Sequence, residues 1–226
     1  MGLRTGFESD LNAIHKTVPI PRLDGTVDIY SFQQSSLLAS DNRWSPRPTP
    51  QSYAAYNPTL ARLNDEHLKS RNRPDNILFR VEPIDGRLPS LEDGLSWPTL
   101  FNLYYPIRLE NELLYLRKRG SSSPQKPMTE LLVAQHTLGE EVVIPEKKPL
   151  FAQIELLPTV LGSLASLLFK PPQLTISVIL SDDTKRDFRF TSSMARSGFV
   201  ISPLVTDTTE FAFLSGTISG TSIATS

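Results

Sequence analysis

Four charged side chains in residues 85–93 have the types and spacing that best suit chemistry in this chain: Asp85, Arg87, Glu92 and Asp93. Four neighbouring residues prevent a helix or strand from continuing through this loop: Pro83, Gly86, Pro89 and Gly94. Carboxylate and guanidinium groups can hold sugar hydroxyls by bidentate hydrogen bonds, and two of the carboxyl groups can serve as an acid and a base. The alternative is that Asp85 and Arg87 pair with each other or cap nearby backbone.

A second candidate group lies in the proline-rich segment 44–56. Its members combine aromatic, cationic and amide side chains: Trp44, Arg47, Gln51, Tyr53 and Tyr56. Sugars present hydroxyls at their edge and an apolar face for stacking, so these residues predict a lip that contacts a carbohydrate. The alternative interpretation is a proline-rich connection that packs on a sheet.

The sequence contains no recognisable catalytic or metal-binding motif. His15, His67 and His136 fall in three separate elements without ligand spacing, which argues against a metal site. A nucleophile elbow, a phosphate loop and a dinucleotide glycine fingerprint are all absent. We therefore expect neither a metal nor a cofactor.

The elements that position the charged loop read as strand, loop, helix and strand. The predicted strand covers residues 76–81, and Ser96 is a candidate cap for a helix with Pro98 in its first turn. A second strand is predicted over residues 109–116. Earlier in the chain we predict strands over residues 26–30 and 51–55 and helices over 7–16 and 58–70. Ser31 and Gln34 form a capping-box pattern that predicts a further helix through about residue 39. This order favours a mixed or parallel sheet with helices against it.

The second half of the chain is richer in β-prone segments. Short strands are predicted over residues 130–134, 141–144, 151–156 and 199–204, and residues 173–180 and 187–191 predict a hairpin. An apolar stripe predicts a helix over residues 158–169, and residues 215–226 predict an edge strand or a frayed end. We expect an α+β protein with an α/β domain (1–119), a linker (120–128) and a β-rich, sandwich-like domain with one amphipathic helix (129–226).

The amino-acid composition is that of a folded protein, and the net charge argues against one class of partner. Hydrophobic residues make up 39% and charged residues 21% of the 226 residues. The formal net charge of -1 argues against a nucleic-acid partner. With no cysteine, the chain has no thiolate chemistry, and we identify neither a signal peptide nor a spanning helix.

Three stretches carry a resemblance to a known group of proteins. They are RWSPRPTPQSYAAYNPTLARLN, PDNILFRVEPIDGRLPSLEDG and KPPQLTISVILSDDTKRDFRF. Together they resemble the extracytoplasmic part of bacterial polytopic membrane proteins, some of which look like integral-membrane glycosyltransferases that use lipid-linked sugars. The resemblance covers roughly residues 26–204 and implies an excised domain outside the cytoplasm, attached to membrane helices of its parent protein that this chain lacks.

Three functions follow as hypotheses. The first is a noncatalytic extracytoplasmic domain of a cell-envelope membrane protein that contacts a glycan. The second is a carbohydrate-active enzyme that uses Asp85 with Glu92 or Asp93, which requires two carboxyl groups facing one cleft. The third is a structural module whose helix over residues 160–169 meets a protein partner.

Overall fold

A mixed sheet lies at the centre of the computed structural model, which describes residues 3–120, 128–145, 149–157 and 173–216. Its strands and the helices around them are α1 (Leu3–Thr17), β1 (Thr26–Tyr30), α2 (Gln34–Leu38), β2 (Arg43–Trp44), α3 (Pro58–Lys69), β3 (Asn76–Phe79), α4 (Ser96–Leu103), β4 (Tyr104–Glu110) and β5 (Leu113–Lys118). Single 3-10 turns lie at Ser52–Ala54 and Pro89–Leu91.

The order of strands across the sheet is β2-β1-β3-β5-β4. β1 is parallel to both of its neighbours, whereas β5 is antiparallel to β3 and β4. The chain moves from β1 to β2 on one side and then crosses to β3 on the other side. In open sheets, such a reversal of strand order creates a crevice at the carboxyl ends of the parallel strands.

Each face of the sheet buries its own apolar cluster. The first cluster contains Phe79 from β3 together with residues of α3 and α4, such as Leu68 and Trp97. The second cluster, on the opposite face, is formed around Val27 of β1 and Tyr115 of β5, and Leu37 of α2 covers it. The alternation follows from the two-residue period of a strand, which sends successive side chains to opposite faces.

The second half of the chain adds shorter elements. They are β6 (Leu150–Ala152), β7 (Leu174–Ile179), β8 (Lys185–Phe190), α5 (Ser192–Ala195), β9 (Phe199–Ser202) and α6 (Thr208–Ser215). β6 pairs with β9 and β7 pairs with β8, both antiparallel. A third apolar cluster joins Leu88 and Leu91 of the first half to Phe190, Met194 and Phe199 of the second.

The charged loop is fixed against this second half through its backbone. The Leu88 N–H donates to the Arg189 carbonyl at 3.2 Å, and the Arg189 N–H donates to the Gly86 carbonyl at 2.7 Å. Gly86 has a φ of 66°, a left-handed conformation that favours glycine. The loop is therefore fixed at two places: it follows β3 of the sheet directly, and its backbone is hydrogen-bonded to β8.

α6 completes the first cluster. The Phe211 ring stacks on Phe79 with 3.8 Å between ring centroids and meets Trp97 edge-on at 4.9 Å. Aromatic pairs of this kind add stability beyond the apolar area that they bury. A helix from the end of the described chain thus covers the sheet built by the first half.

The predicted α+β class is confirmed, with a five-stranded mixed sheet, several helices and additional small sheets. α3 begins as predicted: the Asn57 side chain accepts a hydrogen bond from the Leu60 N–H at 3.0 Å, and Pro58 opens the helix. The predicted hairpin is also confirmed as β7 and β8. The predicted linker lies almost wholly outside the described residues, and the division into two domains stays a prediction.

Several predicted strands are wrong. Residues 51–55 contain a 3-10 turn instead of a strand, and no described strand pairs with them. The strand predicted over residues 109–116 is two strands, since Asn111 and Glu112 both have positive φ and form the turn of a hairpin.

Two further strands predicted in the second half are also wrong. Residues 130–134 and 141–144 have no regular structure and are exposed, and in the described chain no strand pairs with them. A strand needs such pairing to satisfy its backbone hydrogen bonds. The helix predicted over residues 158–169 lies outside the described residues.

The packing of α6 yields a prediction about stability. We expect Phe211→Ala to lower the free energy of unfolding by about 3–5 kcal/mol, because it removes a fully buried ring and leaves a cavity. The matched control is Phe213→Ala on the same helix, whose ring is 69% exposed and whose loss should change stability by about 0.5 kcal/mol or less. Urea unfolding measures both variants, and equal effects would contradict this role of α6.

Candidate functional site

A small cleft lies where the strand order reverses, at the carboxyl ends of β1 and β3. We call it the carboxyl-end cleft, and its lining includes Ser31, Phe32, Tyr53, Arg80, Glu82 and Glu92. Its volume is about 20 Å³, enough for one water molecule. A larger ligand would therefore lie across the mouth of the cleft.

Glu82 is held in one orientation at this cleft. Its Oε2 accepts hydrogen bonds from the Ser31 hydroxyl at 2.7 Å and from the Phe32 N–H at 3.2 Å. Its Oε1 lies 2.9 Å from Nε of Arg80. Two hydrogen bonds and one ion pair therefore fix the position of this carboxylate as an acceptor.

Glu92 has a different environment in the same cleft. The residue is 7% exposed, its Oε1 accepts from the Ile84 N–H at 3.0 Å, and Arg87 lies 3.8 Å away. Burial raises the pKa of Glu92 to about 7, although the Ile84 N–H and Arg87 oppose the shift. Near neutral pH this carboxyl group can therefore donate or accept a proton.

Beneath the cleft, Arg47 is fully buried in a network of hydrogen bonds. Its Nη1 donates to Oδ2 of Asp28 at 3.2 Å and to the Ile29 carbonyl at 2.7 Å, and its Nη2 donates to the Ser52 hydroxyl at 3.0 Å. The guanidinium carbon also lies 3.6 Å from the centre of the Tyr30 ring. These contacts compensate for the removal of the charge from water.

Asp93 shares this interior with Arg47, whose Nε lies 3.5 Å from the carboxylate. Asn64 Nδ2 and the Ser96 hydroxyl both donate to it at 2.9 Å. Burial raises the pKa of Asp93 to about 7, with Arg47 acting in the opposite direction. Ser96 is the first residue of α4 and bonds to Asp93 instead of capping the helix, so the predicted cap is wrong.

The structure brings three of the predicted ligand-binding residues together at the cleft. Tyr53 and Glu92 line it, and Arg87 lies beside them because its Nη1 donates to the Tyr53 carbonyl at 3.3 Å. The Tyr53 hydroxyl in turn donates to the Gln51 side chain. Asp85 is exposed and pairs with Arg189 at 3.0 Å.

The other predicted residues serve the interior. The side chains of Arg47 and Asp93 are 1% exposed or less, which leaves no surface for a ligand to touch. Trp44 donates through Nε1 to Oδ1 of Asp28 at 3.0 Å, on the side opposite Arg47's contact with Oδ2. Arg47 and Asp93 thus lie beneath the cleft, whereas Trp44 packs against the second apolar cluster.

The residues at the cleft that were not among the predicted site residues include Ser31, Phe32, Arg80 and Glu82. They directly follow β1 and β3, so the signal that could have found them is their position at the carboxyl ends of two parallel strands. Tyr30 also lines the cleft, and its buried hydroxyl has no hydrogen-bond partner among the described residues.

No protein-family model, curated protein or solved structure matches this chain. Within the described ranges, no group of three or more His, Asp or Glu side chains is arranged to hold a metal ion. None of the helices described is both long and apolar enough to cross a bilayer.

The Arg47 network yields a second prediction. We expect Arg47→Ala to lower the free energy of unfolding by about 3–5 kcal/mol, because it leaves Asp28 and Asp93 buried without their cation. Arg62→Ala is the matched control: its exposed pair with Glu66 should contribute about 1 kcal/mol or less. Urea unfolding compares the two, and a loss at Arg47 as small as the loss at Arg62 would argue against the network.

Proposed function

We propose that this chain is a noncatalytic extracytoplasmic domain of a cell-envelope membrane protein and that it contacts a glycan at the carboxyl-end cleft. The observation that carries the glycan part is the pairing of oriented polar groups with an exposed aromatic ring. Phe32 is 49% exposed at the rim, directly beside the Glu82 carboxylate that its own N–H contacts. A sugar ring can stack on Phe32 and place one hydroxyl in the cleft that Glu82 and Glu92 line.

The size of the cleft favours a sugar that binds at the protein surface over one that is enclosed by the protein. A volume of about 20 Å³ cannot take in a whole sugar ring, so the ligand lies on the surface and only one hydroxyl enters. Surface contact of this kind suits a domain that guides or retains a polysaccharide chain. The extracytoplasmic location is supported by the resemblance of residues 43–64, 74–94 and 170–190 to such domains.

A glycan array tests the ligand. We expect the wild-type chain to bind at least one glycan and Phe32→Ala to weaken that binding about fivefold, since one aromatic contact contributes ~1 kcal/mol. Tyr56→Ala is the control, because Tyr56 is 56% exposed but does not line the cleft. The absence of any binding, or equal binding by both variants, would refute glycan contact at this cleft.

A second candidate function, carbohydrate hydrolysis or transfer, is favoured by one observation. Glu92 has a pKa of about 7 in the cleft where Glu82 is held by Arg80, Ser31 and a backbone N–H. Two carboxyl groups that face one cleft are what such reactions require. Release of product from the bound glycan, abolished by Glu92→Gln, would favour this enzyme over the noncatalytic domain.

The proposed location has its own test, which uses the absence of cysteine from the sequence. Asn72→Cys introduces one thiol at an exposed position of the parent protein in its native cells. A maleimide that does not cross membranes should label this thiol without lysis, once any outer membrane has been made permeable. Labelling only after the inner membrane is broken would place the domain in the cytoplasm, and a cysteine engineered into a known cytoplasmic protein is the control.

A further inference from the structure

A larger groove lies on the other face of the sheet. It has a volume of about 380 Å³ and runs between the end of α1, residues 19–22 and the outer strand β4. Ile20 joins this groove to the second apolar cluster, whereas Tyr30, Phe79 and Trp97 of the carboxyl-end cleft belong to the first. We call it the outer groove, and it is independent of the cleft. Its volume falls within the range of small-molecule sites.

The cationic side of the outer groove is formed by Arg22 and Arg108, and His15 also lines the groove. Arg108 is held in place because its guanidinium lies 4.1 Å from the centre of the Tyr115 ring and 3.5 Å from Glu110. Arg22 is exposed and has no ion pair or side-chain hydrogen bond with any other residue in the described ranges. Its guanidinium donors are therefore available to an anionic group.

The anionic side of the groove is formed by Asp41 and Glu110. Asp41 is exposed and, like Arg22, has no side-chain partner within the described part of the chain. Carboxylates accept hydrogen bonds from hydroxyl groups and repel simple anions. A ligand for this groove must therefore carry hydroxyls as well as a negative charge.

We propose that the outer groove binds an acidic sugar, with its anionic group on Arg22 and Arg108 and its hydroxyls on Asp41 and Glu110. Arginine suits the first role because its planar fork matches a carboxylate or phosphate in a bidentate pair. Pro19 and Pro21 supply an apolar wall for the sugar ring. A polyanion such as nucleic acid does not fit, because the two carboxylates balance the two arginines.

Heteronuclear NMR titration of the full chain tests this inference. Glucuronic acid and glucose 6-phosphate are the two probes, and glucose is the neutral comparison. We expect saturable shifts around Ile20 and Arg22 with a Kd of about 1 mM or lower for at least one acidic sugar. The tighter of the two probes identifies whether the natural anionic group is a carboxylate or a phosphate.

Variants assign the binding to the groove. Arg22→Ala should raise the Kd about tenfold, because it removes a hydrogen bond between charged groups. Asp41→Asn should weaken binding less, since the amide oxygen still accepts from a hydroxyl. Arg71→Ala, which changes another exposed arginine outside the groove, should leave the Kd unchanged.

Three outcomes would overturn the inference. They are the absence of shifts up to about 10 mM probe, equal binding by Arg22→Ala and the wild type, and binding of inorganic phosphate as tight as that of the sugar acids. Equally tight binding of inorganic phosphate would mean that the carboxylates of Asp41 and Glu110 do not contribute to binding. Phe32→Ala separates this inference from the proposed function, because it alters the cleft and should not change binding in the groove.

Discussion

The buried guanidinium of Arg47 is the interaction on which the site depends. It connects β1, through Asp28, to the 3-10 turn at Ser52 and to Asp93, three residues before α4. A buried charge is tolerated only when its partners are all in place, so these three segments must assemble together. The aromatic ring of Tyr30 contributes a further contact to the same cation. The floor of the cleft above is therefore built from hydrogen-bonded, buried side chains, although its walls are loops.

Local signals in the sequence were sufficient for several elements but not for the pairing of the sheet. Asn57 followed by Pro58 specified the start of α3, because a cap and a first-turn proline act within a few residues. The turn at Asn111 and Glu112 was missed because a glutamate with positive φ is stabilised by the paired strands on either side. α6 was also missed, although Asp207 accepts from the Glu210 N–H as a capping residue does.

The sequence indicated which segments form the site, but it did not indicate what each residue does there. Residue types identified the loop with Glu92 and the segment with Tyr53, and the structure brings both to one cleft. Burial reverses the expectation for Arg47, because a proline-rich segment gives no sign in sequence that its arginine enters the interior. Glu82 can be identified as a site residue only from its position just after β3. That position lies at the cleft because β1 and β3 are parallel neighbours.

The position of α6 affects how the chain is made. Strands from the first half form the sheet, yet the ring of Phe211 that stacks on Phe79 comes 132 residues later. During synthesis, the apolar surface of β3 and α4 emerges from the ribosome well before the helix that covers it. Contacts between such distant residues also slow folding, because a long loop must close first. The nascent chain thus carries an uncovered aromatic surface that a chaperone can bind until α6 has left the ribosome.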